Sequence, residues 1–220
     1  PDVNYYQGPS WYRTQLDIQN PYSNGRTLLH FEGAGQKTDV YVYTTKVGTH
    51  VGGYDEFTVD ITEAVEVFKQ TEAWQKQFKG KVPVSIRTDN SRNLELIPSN
   101  LSDFNLYGGI YRYLNLVYTP QLSFDKLFVA TETDKDGRQG TARIRARFHN
   151  PAKLTQAAVT VKLLDPNGKV LQQTQRTLNS LTGDIVLAEY NIRSPQLWST
   201  DNPVLYKVDA VVTAAGESCT

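Results

Sequence analysis

Apolar and polar residues alternate with period two along most of the chain, the pattern of half-buried β-strands rather than helices. In Thr141-Ala142-Arg143-Ile144-Arg145-Ala146-Arg147-Phe148 the apolar positions 142, 144, 146 and 148 interleave with a threonine and three arginines. One face of that strand is expected to enter a core, with the three arginines together on a solvated face. Val159, Val161 and Leu163 repeat the pattern. Asp165-Pro166-Asn167-Gly168 then supplies hairpin turn chemistry before Lys169-Val170-Leu171, and Tyr206, Val208, Ala210 and Val212 mark a further strand. In the first half, strands are predicted over residues 12–18, 27–31, 39–43, 82–90 and 110–118.

One stretch departs from this rhythm. Between Glu63 and Lys79 the apolar residues fall at 64, 67, 68, 74 and 78, a helical spacing behind Thr62 as a candidate N-cap. One or two short helices, covering a sheet end, are predicted there. Pro120 cannot donate to a sheet ladder, and around it the composition changes from aromatic-rich loops to plain alternating strands. Two β-sandwich domains are therefore expected, over residues 1–120 and 121–220. The second has the size and strand rhythm of an immunoglobulin-like sandwich, without a Cys-Trp-Cys hallmark.

Composition narrows the function classes. The 220 residues carry 23 Lys+Arg against 23 Asp+Glu, a balance that gives no electrostatic reason to expect nucleic acid or an anionic membrane as partner. No apolar run approaches the ~20 residues of a membrane-spanning helix. A single cysteine, Cys219, offers no internal disulfide. The chain holds no methionine and starts at Pro1, which reads as a processed piece of a longer protein.

Candidate chemistry is sparse. His30, His50 and His149 are scattered, no cysteine pair or His-x-x-x-His occurs, and neither a metal nor a cofactor is expected. His30 and His149 read as structural, and His50 falls in Gly48-Thr49-His50-Val51-Gly52-Gly53-Tyr54, taken as a tight glycine-rich loop that lacks the Lys-Ser/Thr of a phosphate cradle. No serine lies in a Gly-x-Ser-x-Gly elbow. Asn100-Leu101-Ser102 matches the short N-glycosylation sequon, a weak pattern. The densest stretch is Asp103-Phe104-Asn105-Leu106-Tyr107-Gly108-Gly109-Ile110-Tyr111-Arg112, in which an acid, three aromatics, a glycine pair and an arginine crowd together.

That stretch, with Gly8-Pro9-Ser10-Trp11-Tyr12-Arg13, Asp39-Val40-Tyr41-Val42, Val47 through Tyr54, Phe57 through Thr62, Asp89-Asn90 and Leu197 through Tyr206, resembles in order the N-terminal part of glycoside hydrolase family 2, the β-galactosidases, β-glucuronidases and β-mannosidases. The resemblance implies an all-β chain: a jelly-roll sugar-binding domain, then an immunoglobulin-like sandwich, preceding a catalytic (β/α)₈ barrel that this sequence does not contain. In the family, two barrel glutamates about 5 Å apart perform a retaining hydrolysis. Neither has a counterpart here, so no catalytic residue is expected in these 220 and the piece alone is expected to be inactive.

What carries over is Asp103, implied to reach the active-site mouth and accept hydrogen bonds from hydroxyls of a β-linked glycoside substrate. Tyr107, Phe104 and Tyr111 offer rings for sugar stacking, with packing the better reading; Arg112 and His50 are candidates for loop support. Trp11 and Trp198 are expected as core anchors. The Tyr113-Leu114 that follows Arg112 departs from the family's Asp-Val, and the last strand of the second sandwich is expected to be truncated. The default parent is β-galactosidase-like, with β-glucuronidase or β-mannosidase as alternatives, oligomeric assembly open, and a bacterial periplasmic or extracytoplasmic setting expected. Two other readings stand beside it: a self-sufficient carbohydrate-binding module and a purely structural or oligomerisation role.

Overall fold

The computed structural model describes residues 6–97, 99 and 106–220. Asp103 and Phe104, and the Asn100 and Ser102 of the sequon, lie outside the described residues. The chain divides into two compact units, Pro1–Pro21 with Gly25–Tyr118, and Tyr22–Asn24 with Thr119–Thr220.

The first unit is a jelly-roll β-sandwich. Its elements are β1 (Pro9–Leu16), β2 (Arg26–Phe31), β3 (Ala34–Gly35), β4 (Lys37–Val42), β5 (Thr45–Val51), β6 (Phe57–Asp60), α1 (Thr62–Lys69), α2 (Glu72–Lys76), β7 (Val82–Asp89), β8 (Gly109–Ile110) and β9 (Leu114–Thr119). They form sheets ordered β1-β7-β4-β5, β6-β2-β9 and β3-β8. The alternation decides which face is inside. Val82, Val84 and Ile86 of β7 are buried with Val40 and Val42 of β4, packing with Leu29, Phe31 and Val59 of the second sheet. Phe31 is fully buried and stacks on Phe57 at 4.4 Å.

The predicted helical stretch is two helices, and α1 sets Val65 and Phe68 into this core. Thr62 is not the cap. It is the first helical residue, and its hydroxyl instead donates to Asp60 and accepts from Thr27 N at 2.9 Å, which ties the helix start to β2 and β6. The side-chain cap falls at Thr71, whose Oγ1 accepts from Trp74 N and opens α2.

The second unit is an immunoglobulin-like β-sandwich of β10 (Ser123–Thr133), β11 (Gln139–His149), β12 (Ala157–Leu164), β13 (Val170–Leu178), β14 (Ile185–Arg193), β15 (Lys207–Ala214) and β16 (Glu217–Cys219). Its sheets are ordered β10-β11-β14 and β13-β12-β15-β16, all antiparallel. Ala142, Ile144, Ala146 and Phe148 of β11 point inward against Val159, Val161 and Leu163 of β12. Tyr190 of β14 crosses the core and donates its hydroxyl to Val161 O at 2.7 Å, so the phenol stays satisfied in an apolar interior. On the outer face Arg143 pairs with Glu189, Arg147 with Asp184, and Arg145 lies 5.5 Å above the Phe128 ring.

The tryptophans depart from expectation. Trp11 is 50% exposed and Trp198 59% exposed, so neither anchors a core. Trp11 occupies an outward position of β1, paired with Arg87 of β7, while the neighbouring pair places Tyr12 beside the inward Ile86. Trp198 lies in the irregular segment between β14 and β15.

Candidate functional site

The crowded stretch enters the described structure at Leu106 and runs into β8, which pairs with β3 through Gly35↔Gly109 and Ala34↔Ile110. A buried amide holds it there. Asn90, 4% exposed at the end of β7, accepts from Gly8 N at 2.9 Å and donates to Tyr6 O at 3.3 Å and Leu106 O at 3.2 Å. Three segments far apart in sequence are latched by one side chain with donors and acceptor all used.

The glycine pair follows from this proximity. A Cβ on Gly108 would stand 2.8 Å from Asn90 Nδ2, and Gly109 combines φ +80° with the Tyr12 hydroxyl lying where a side chain would start. That hydroxyl accepts from Ile110 N at 3.3 Å. Only glycine meets both demands at 109.

Beyond the turn, Tyr111 folds back and donates its hydroxyl to Gly53 O. Its ring centroid lies 5.9 Å from that of Tyr107 and 6.3 Å from that of Tyr54. Burial, reinforced by Tyr54, pushes the Tyr111 phenol above its ordinary value, so it is a neutral donor at physiological pH. Tyr107 is exposed, whereas Arg112 is exposed and makes no ion pair with another described residue. His50 is not in a loop: it belongs to β5, opposite Thr38, with its ring stacked on Phe57 at 3.9 Å and Nε2 3.2 Å from Asp55 Oδ2. The strand was hidden because Gly48 reads as loop, yet a Cβ there would meet Val59 Cγ1 at 2.7 Å, so β5 needs glycine to pass over β6. His50 thus braces the 52–55 turn that receives Tyr111.

Asp39, unremarkable in the sequence outside its strand motif, is a structural node. Its side chain is nearly buried, with Lys46 Nζ at 2.6 Å, Thr49 Oγ1 at 2.8 Å and Arg87 Nη1 at 3.7 Å, while Arg87 Nη2 reaches Asp89 at 2.6 Å. Burial by itself would raise the Asp39 carboxyl, but hydrogen bonds from Lys46 and Thr49 and the charges of Lys46 and Lys37 carry it below the ordinary 3.8. For Asp89 burial is likewise outweighed, by hydrogen bonds from Ser91 and by Arg87. Asp60 is also lowered, again against burial, by Thr62 and Arg26.

A depressed folded-state pKa favours the fold fully above the unfolded value and loses that contribution as pH falls through the folded one. The stability of the first unit is therefore expected to hold down to about pH 4 and to decline below it. Asp39→Asn should flatten that acid limb and cost about 2–3 kcal/mol at neutral pH. Urea unfolding followed by circular dichroism between pH 2 and 7 measures both.

Among the described residues no three His, Cys, Asp or Glu side chains gather as a metal site. The cluster of Asn90, Tyr12, Tyr54, Tyr107 and Tyr111 supplies neutral donors, rings and a rigid turn. This chemistry fixes the position of the turn that follows Leu106.

The sequence profile of glycosyl hydrolases family 2 matches residues 122–219. The crystal structure of Parabacteroides merdae β-glucuronidase superposes on 99% of this chain with a TM-score of 0.94 and 49% identity. The chain belongs to glycoside hydrolase family 2. Bacteroides uniformis β-glucuronidase 3 is similar over 99% of the chain, with 49% identity and a TM-score of 0.89. The β-galactosidase of Thermoanaerobacter pseudethanolicus is 25% identical over 96% of it. The chain spans about a quarter of the length of these family 2 relatives, 27% of each of the three.

Proposed function

We propose that these 220 residues are the non-catalytic N-terminal portion of a family 2 enzyme that hydrolyses β-glucuronides, comprising a jelly-roll domain over 1–120 and an immunoglobulin-like domain over 121–220. They support the catalytic barrel and present one substrate-contacting loop to it. The observation that carries this reading is the 49% identity, over nearly the whole chain, to two structures named as β-glucuronidases. It favours the β-glucuronidase alternative over the β-galactosidase default. Asp103 is the substrate contact in this reading, its carboxylate accepting from sugar hydroxyls; three residues on, the chain is held by the Asn90 latch at Leu106 and then by the Tyr111–Gly53 bond.

The test is a panel of p-nitrophenyl β-D-glucuronide, β-D-galactoside and β-D-mannoside with the parent enzyme. Discriminating a carboxylate from a hydroxymethyl group rests on charge-assisted hydrogen bonds, each worth about tenfold or more. A preference for the glucuronide of about 100-fold in kcat/KM is expected. A galactoside or mannoside preference would sink the substrate reading while leaving the architecture intact.

A further inference from the structure

On the outer face of the sheet β1-β7-β4-β5, at the end away from Asn90, lies a groove of about 530 Å³. Its shape follows from register. Alternation that sends Val82, Val84 and Ile86 inward turns Pro83 and Ser85 outward along the central strand. Ser85 stands between Arg13 on one side and Tyr41 on the other, and Pro83 beside Gln15. Short residues in the middle strand and long ones on both neighbours make a floor between two walls.

Aromatic rings close both ends. Trp11 and Tyr41 meet at 5.6 Å across the groove, and Tyr43 meets Phe78, from the segment before β7, at 5.8 Å. Trp11 is half exposed, and Tyr43, although it packs on the core Phe68 at 5.1 Å, is 40% exposed, so apolar ring area is left in water on this face. Between them stand hydrogen-bonding side chains: Arg13, Gln15 and Ser85.

The charge of the groove has one sign. Arg13 lies 5.9 Å from the Trp11 ring centroid and makes no ion pair with another described residue. The acids nearby on this face are already engaged, Asp39 by Lys46 and Arg87, and Asp89 by Arg87. Among the described residues, no carboxylate lines the groove.

Rings that accept the C–H face of a pyranose, side chains that pair with its hydroxyls and one uncompensated guanidinium together define a ligand class. We propose that this groove is a second carbohydrate site, which holds an oligosaccharide containing a uronic acid, a sugar ring resting on Trp11 and Tyr41 and its carboxylate at Arg13. The site is distinct from the Asn90-latched loop and requires no turnover. Its role would be to keep the enzyme on an acidic polysaccharide.

The test is calorimetric titration of the 220-residue chain with a hyaluronan hexasaccharide and with neutral cellohexaose. Binding of the acidic ligand is expected at about 1 mM or tighter, the range of a small open site, and weaker by tenfold or more for cellohexaose. Trp11→Ala should weaken it at least tenfold. Arg13→Gln should erase the preference for the acidic ligand and its salt dependence, and Trp198→Ala should change nothing. Circular dichroism of each variant establishes that it is folded.

Absence of binding by the folded chain, equal affinity for both ligands, or affinities untouched by Trp11→Ala and Arg13→Gln would overturn the proposal. So would loss of binding in the parent enzyme once its catalytic pocket is blocked by a covalent inhibitor, because the groove would then be covered. These outcomes are read from binding alone, so they stand apart from the substrate preference in turnover.

Discussion

Asp103→Asn in the parent enzyme is expected to lower kcat/KM for a β-glucuronide by about 10- to 100-fold, the worth of a hydrogen bond to a charged group, with the melting temperature essentially unchanged. The substitution keeps the shape of the side chain and removes the charge that, in the proposed role, accepts from two hydroxyls. If the carboxylate holds the sugar equally in ground and transition states, KM rises and kcat stays; if the contact tightens as the ring distorts, kcat falls. Either split is compatible with substrate contact. Unchanged kinetics would remove Asp103 from the active site and reduce the loop to packing.

The second large effect concerns the latch rather than the contact. Asn90→Ala leaves Gly8 N without its partner in a buried position, and Tyr6 O and Leu106 O without theirs in partly buried ones. A cost of about 2–3 kcal/mol is expected, since an orphaned buried group retains its desolvation penalty. For a unit of this size that is a fall of roughly 10 °C or more in melting temperature. Asn90→Asp should be worse than alanine, because it puts an oxygen where the amide donates to two carbonyls. Differential scanning calorimetry of both variants gives the order. If aspartate were tolerated better than alanine, the amide would not be the clamp described.

These two positions also show what could be read from the amino acids alone. The all-β class and the facing of individual strands were legible wherever alternation was clean, as from 141 to 148, where Ala142, Ile144, Ala146 and Phe148 all lie in the core. It failed where a close approach demands a small residue: Gly48 makes β5 look like a loop, because its neighbour Val59 on the adjacent layer cannot be seen in sequence. It failed for Trp11 and Trp198 because apolar character sets a cost for exposure and does not forbid it. Asn90 was visible only as part of a motif. Its role depends on β1 and β7 pairing as Pro9↔Asp89, which brings Gly8 to the end of β7, and on the return of Leu106 to the same point. Asp39 likewise acquires meaning only when β5 and β7 bring Lys46 and Arg87 to it.

The central claim is that these 220 residues position a sugar and do not cleave it. A mechanism-based covalent inhibitor of retaining β-glucuronidases, reacted with the parent enzyme and located by peptide mass spectrometry, tests this most directly. The expected label falls on a carboxylate outside residues 1–220, and the 220-residue chain alone takes up none. A label on any residue within these 220 would contradict the account.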